Sequence, residues 1–183
     1  LYTVVLRGRQ NGEVVNQSRI VTCIEKAIDP FADYDEYISL AKLDNLRFVI
    51  SNTTEAGIAL DESDSFDGLP KSYPGKLTKF LYERYCAFKG DKGKGLIILP
   101  VELIEDNGKK LLECVLSLCN IWNLPDGFKV WVKDSNIFCN TLVDRIVTGY
   151  PKGEAEEICN ELGYEDLLLD VGEPFGLWVI ESD

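Results

Sequence analysis

The sequence predicts an α/β fold: an open, largely parallel sheet with helices on its faces. Three observations carry that expectation. Short apolar runs of strand length alternate with segments whose apolar residues recur at helical spacing. Residues 96–99, Leu-Ile-Ile-Leu, are continuously apolar, as a strand buried on both faces of a parallel sheet must be. Polar loops follow two of these runs, and the carboxyl ends of strands are where open α/β sheets bind ligands.

Taken in order, residues 1–6 and 13–24 read as two strands about an Asn11-Gly12 turn, a β-hairpin. Residues 33–43 carry Tyr34, Tyr37, Ile38 and Ala41 at helical spacing, and residues 47–51 follow as a short strand that empties into the polar loop 52–57. Residues 61–71, rich in Asp, Ser and Gly, are a loop. Pro74 suits the first turn of a helix whose buried face is Leu77, Phe80, Leu81, Arg84, Tyr85 and Phe88, closed by Gly90. A turn over 89–95 leads into the apolar strand. Asn107-Gly108 precedes a third helix with Leu111, Leu112, Val115, Leu116, Leu118, Cys119 and Trp122 inward, residues 125–135 form a fourth, and residues 177–181 are strand-like. No internal repeat interrupts this rhythm.

Composition removes several classes of function. The chain has 183 residues, 19 basic and 31 acidic, for a net charge of −12, with no His, no Met and six Cys. Without imidazole, no Ser-His-Asp or Cys-His unit, His-ligated zinc or His proton switch can be built from this chain. The acidic surface repels phosphate backbones and anionic bilayers, so neither nucleic acid nor membrane is an expected partner. A hydrophobic fraction of 45% suits one sizeable core, with one domain and at most an appendage. No apolar run reaches the roughly 20 residues that span a bilayer, and no signal peptide is present. The cysteines form no C-x-x-C and stand mostly among apolar neighbours, which reads as reduced core thiols in the cytoplasm. The sequence opens directly in one strand-like run and stops just after another, as a piece of a longer chain would.

Three segments could carry chemistry. In the loop after the strand at 47–51, Asn52, Thr53, Thr54 and Glu55 offer side chains and amides for a ribose or carboxamide, while Gly57 permits close approach; a turn capped by its own side chains is an equal reading. In the second loop, Glu105, Asp106 and Asn107 stand where a helix N-terminus is to be capped, and Glu102, nearest the strand end, is the better functional residue. In residues 138–149, Asp144 and Arg145 among apolar neighbours read as a structural pair or anchoring network. Asn140 opens that stretch, where its amide could donate to a developing oxyanion or cap a helix. No G-x-G-x-x-G or P-loop occurs, and the glycines at 90–95 precede a strand, where they cannot cradle a pyrophosphate.

Six ordered motifs, LYTVVLRG, FVISNTTEAGI, SYPGKLTKFLYERY, ILPVELIEDNGKKL, FCNTLVDRIVTGYP and LDVGEPFGLWVIE, together resemble the polyol-specific long-chain dehydrogenases, the mannitol dehydrogenase family, over essentially the whole chain. The resemblance implies a Rossmann-type fold for residues 1–183, truncated so that the first strand-helix unit with its glycine-rich loop lies upstream, and a C-terminal helical substrate domain downstream that carries a lysine general base. It implies NAD as cofactor and no metal. Carried over by position, Asn140 matches an asparagine that polarises the substrate carbonyl; Thr53, Thr54 and Glu55, with Asn52, match the loop near the nicotinamide; and Glu102 matches an acidic position facing the cofactor.

The implied reaction of the full-length protein is hydride transfer between NAD(H) and a keto sugar acid, tagaturonate to altronate, in hexuronate breakdown. Fructuronate reduction, mannitol-type polyol oxidation and a non-catalytic acidic interaction module stand as alternatives. The piece alone should bind NADH poorly, lacking the amides that hold a pyrophosphate, and its exposed sheet edge is a surface for self-association.

Overall fold

The computed structural model describes residues 1–181. The described residues divide into two compact units, residues 28–143 with 179–181 and residues 1–27 with 144–178. The strands fall into separate sheets.

The larger unit holds the predicted parallel sheet. Its strands are β3 (Phe48–Ser51), β4 (Ile97–Pro100) and β5 (Ile137–Phe138), in the order β3-β4-β5, all parallel. In the central strand, Ile98, Leu99 and Pro100 are buried, as they must be when helices cover both faces. The helices are α1 (Tyr34–Ser39, continued as a 3-10 turn over Leu40–Lys42), α2 (Tyr73–Ala87), α3 (Asn107–Ile121) and α4 (Asp126–Ser135). Each lies where sequence spacing put it. Ser72 caps α2, its hydroxyl accepting from the Gly75 N–H at 3.0 Å, and Pro74 occupies the first turn, where no N–H is needed.

Leu77 and Leu81 from α2, Leu96 and Ile98 about β4, Leu111, Val115 and Cys119 from α3, and Phe128 and Val132 from α4 make the core. Phe128 meets Tyr82 edge-on at 5.2 Å between ring centres and Tyr85 at 5.4 Å, joining α2 to α4. Burial pushes the Cys119 thiol up to about 12, so it stays protonated. All six cysteines are free thiols, but only Cys119 and Cys139 are core residues, and Cys23 and Cys86 are exposed. The core-thiol expectation therefore holds for two of the six.

Arg84 is 1% exposed and sits on the apolar face of α2. Its guanidinium donates to the carbonyls of Ala41 (3.0 Å), Leu43 (2.9 Å), Leu46 (3.1 Å) and Lys94 (2.7 Å). One cation thereby fixes the segment between α1 and β3 and the turn before β4. Replacing it with Met keeps much of the volume but leaves four carbonyls without that donor. We expect Arg84→Met to lower stability by about 3–5 kcal/mol, read as a fall in the thermal unfolding midpoint.

The smaller unit has a four-stranded mixed sheet. Its strands are β1 (Tyr2–Gln10), β2 (Glu13–Val21), β7 (Val147–Gly149) and β8 (Asp170–Gly172), ordered β2-β1-β8-β7. The hairpin β1–β2 turns on Asn11 and Gly12 alone, both at positive φ (54° and 86°), the primed geometry that matches strand twist. β1 therefore runs past Leu6 to Gln10. Only β1–β8 is parallel in this sheet, so the parallel sheet of the fold is that of the larger unit. Val5, Leu169 and, from α5 (Ala155–Leu162), Ala155 and Ile158 form a small core. Here too Arg145 donates to the Phe175 carbonyl at 2.9 Å and Glu173 accepts from the Ile146 N–H at 2.6 Å. Arg145 is thus part of an anchoring network that acts on backbone. β6 (Asn140–Asp144) and β9 (Leu177–Glu181) pair as a two-stranded ladder. Among the described residues, no helix is long and apolar enough to cross a membrane.

Candidate active site at the strand ends

The site is built at the carboxyl ends of β3 and β4. Ser51, the last residue of β3, is buried, and its hydroxyl donates to Oε2 of Glu102 at 2.9 Å. Glu102, just beyond β4, is 3% exposed. Its other oxygen, Oε1, accepts from the backbone N–H of Thr53 at 3.0 Å and from the Thr53 hydroxyl at 2.8 Å. A buried carboxylate is costly unless its lone pairs are satisfied, and here three donors from the β3 end do so. The two strand-end loops are thereby tied together through one side chain. Gly57 closes the first loop: a Cβ there would come within 1.8 Å of the Thr53 hydroxyl oxygen, and its N–H donates to the Thr54 carbonyl at 2.8 Å.

Asn107, the first residue of α3, is fully buried. Its Nδ2 donates to the carbonyls of Pro100 (3.0 Å), Glu102 (3.0 Å) and Thr141 (2.9 Å). Its Oδ1 accepts from Gly108 N–H (2.8 Å) and Thr141 N–H (2.9 Å). This amide joins the β4 end, the second loop and β6, and the Thr141 hydroxyl adds a bond to the Pro100 carbonyl. The next residue must be glycine for a packing reason, since a Cβ on Gly108 would stand 2.3 Å from the Cys139 carbonyl oxygen.

Asn140 opens a strand, β6, and so caps no helix of its own. Its Oδ1 instead accepts from the Lys109 N–H in the first turn of α3 at 3.1 Å, while its Nδ2 donates to Oε2 of Glu181 at 3.1 Å. The helix that receives the cap lies 31 residues upstream. Asp106, the residue before α3, is left-handed (φ 54°) and makes no side-chain cap, so the capping expected of Glu105, Asp106 and Asn107 is shared by Asn107 and Asn140.

A cavity of about 580 Å³ opens beside these groups, walled by Glu102, Asp106, Asn140, Leu142, Val179 and Glu181 among others. It brings Glu102 and Asn140 to one place. Asn52, Thr53, Thr54 and Glu55 are exposed on the neighbouring loop and do not line it; Thr53 reaches the site through Glu102. Sequence reading missed Ser51, Thr141 and Glu181. Glu181 gave no signal, being one acidic residue at the end of a strand 41 positions from Asn140.

Among the described residues that line the cavity none is basic. Its wall of amide, carboxylates and apolar side chains suits an uncharged, hydrogen-bonding group such as a carboxamide or a sugar, and does not suit a diphosphate.

Residues 1–183 match the family described as "Mannitol dehydrogenase Rossmann domain". The chain belongs to the mannitol dehydrogenase family. Among its relatives is an altronate oxidoreductase of Bacillus subtilis (strain 168), 53% identical over 183 residues, all of this chain and 38% of that protein. An altronate oxidoreductase of Yersinia enterocolitica is 49% identical over 184 residues, again all of this chain and 38% of the relative. The chain thus spans less than half the length of these relatives. A mannitol 2-dehydrogenase of Pseudomonas fluorescens, solved as a ternary complex with NAD and D-mannitol, superposes with a TM-score of 0.79 at 21% identity, covering 98% of this chain and 38% of that one. A substrate-free D-sorbitol dehydrogenase gives 0.77 at 19% with the same coverage. At such identities the likeness is one of fold. The mannitol dehydrogenase fold expected from the six motifs is the fold observed.

Proposed function

We propose that the protein carrying this chain is an NAD-dependent oxidoreductase that reduces tagaturonate to altronate, and that residues 1–183 are part of its cofactor domain, with a helical substrate domain outside this chain. Half-identity over the whole chain to altronate oxidoreductases is the observation that carries the substrate class. The strand-end cavity with Glu102 and Asn140 supports the chemistry. On this reading the protein works in the cytoplasm on a small keto sugar acid. The exposed Phe48 and Ile50 on edge strand β3 offer a surface on which another strand could pair.

The residues present fit the nicotinamide and ribose half of the cofactor: Asn52, Thr53, Thr54 and Glu55 would flank it from the β3 loop, and Glu102 from the β4 loop. When bound, NADH supplies the hydride. The chain's own contribution is polarisation. Asn140 has one Nδ2 hydrogen directed to Glu181 and a second with which to donate to the substrate carbonyl oxygen as it gains negative charge, a role in which one donor is worth about 10²–10³ in turnover. Glu102 holds the Thr53 loop in place through its three bonds.

The test is NADH oxidation by the whole protein with tagaturonate, fructuronate and fructose side by side at equal concentration. Highest kcat/KM for tagaturonate supports the reading. Preference for either of the others keeps the dehydrogenase and moves the substrate, and oxidation with none of the three overturns it in favour of a non-catalytic module.

A further inference from the structure

We propose that Glu181 is a positioning residue: it fixes the orientation of the Asn140 carboxamide so that one N–H of that amide faces the strand-end cavity. The inference rests on the reading of the site given above and deepens it.

An asparagine amide can be flipped by half a turn, exchanging its donor and acceptor ends. Two neighbours of opposite character remove that freedom here. The Lys109 backbone N–H can only donate, so it requires the acceptor Oδ1 opposite it, and the observed separation is 3.1 Å. A carboxylate can only accept, so Glu181 requires Nδ2 opposite it, also at 3.1 Å. The two demands agree, and they come from elements far apart in sequence, the first turn of α3 and the end of β9. Removing Glu181 would leave one demand only, from a single neutral bond, and the amide would then sample rotamers about Cβ–Cγ.

The arrangement also tunes the donor. The N-terminal end of α3 carries partial positive charge and draws electron density onto Oδ1, which through amide resonance makes the Nδ2 hydrogens better donors. Glu181 accepts one of them, and Asn140 and Glu181 both line the cavity, so the remaining N–H is placed where a carbonyl oxygen can meet it. Glu181 touches no reacting atom on this account. It acts through Asn140.

Glu181→Ala and Glu181→Gln in the whole protein separate positioning from bulk structure. Glu181→Gln keeps a carbonyl oxygen that can accept from Nδ2. We expect Glu181→Ala to lower kcat with tagaturonate about 10-fold or more with KM for NADH unchanged, and Glu181→Gln to restore kcat to within about threefold of wild type. The second readout does not depend on turnover. In protein labelled with ¹⁵N-asparagine, the Asn140 side-chain amide pair, assigned by its loss in Asn140→Asp, should move in Glu181→Ala. An Asn140 amide pair unmoved by Glu181→Ala overturns the positioning, whether or not the protein turns over substrate. An amide pair that moves while kcat stays at the wild-type value overturns its bearing on the reaction. A wild-type protein inactive with all three substrates overturns the proposed function instead, and the amide signal alone then decides whether Glu181 orients Asn140.

Discussion

Asn107→Ala should destabilise the protein by about 3–5 kcal/mol, the upper range for a single substitution, and lower its thermal unfolding midpoint by several degrees. The reasoning is one of unmet groups. The side chain is fully buried; its Nδ2, with two hydrogens, serves the carbonyls of Pro100, Glu102 and Thr141, one hydrogen being shared, and its Oδ1 accepts from the N–H groups of Gly108 and Thr141. A formed bond contributes only about 0.5–1.5 kcal/mol net, but a buried carbonyl or N–H left without a partner costs about 1–3 kcal/mol. Alanine takes the partner from the Gly108 and Thr141 N–H groups and from the Thr141 carbonyl, while the Pro100 carbonyl keeps the Thr141 hydroxyl and the Glu102 carbonyl keeps the Ile104 N–H; a water entering the space vacated can serve some of the three. Asn107→Asp should be no better, since it keeps the acceptor but turns a carboxylate oxygen toward three carbonyls. A loss under 1 kcal/mol in unfolding measurements would show that the strand-end loops hold together without this residue.

Asn140→Ala should have the opposite profile. If Asn140 polarises the substrate carbonyl, turnover of tagaturonate by the whole protein should fall by about 10²–10³, while stability falls only by the worth of a helix cap, about 0.5–2 kcal/mol. The cap is real, because Oδ1 holds the Lys109 N–H of α3. Steady-state kinetics and thermal unfolding on the same preparation therefore distinguish the two roles. A modest loss in kcat beside a matching loss in stability would leave Asn140 as a cap alone.

These two asparagines show where sequence reading reached and where it stopped. The four helices of the larger unit were legible because each presents an apolar face several residues long with a recognisable start, such as Ser72-Tyr73-Pro74 for α2. Strand β4 was legible because burial of three of its four residues goes with a continuous apolar run. Strands β5 to β8 were not, being two to five residues long and half-exposed, with too few alternations to stand out. Missing them also hid the break of the sheet into two units. Glu102 and Asn140 could be singled out as polar residues beside apolar runs. Their partners could not, because a carboxylate meeting Ser51 or a capping amide acting on a helix 31 residues upstream is a product of tertiary approach, on which local pattern is silent.

The Arg84 clamp separates two kinds of charge in this molecule. Its guanidinium is held by four neutral carbonyls in the interior, where dissolved ions do not reach it and where its charge is constant at any ordinary pH. The chain as a whole carries 31 acidic against 19 basic side chains, most of them on the surface, and that self-repulsion weakens as ionic strength rises. Moderate salt should therefore leave the interior fastening untouched while relieving the strain of like charges outside. Dilution into low-salt buffer acts in the other direction, loading the whole burden of cohesion onto the core and the clamp.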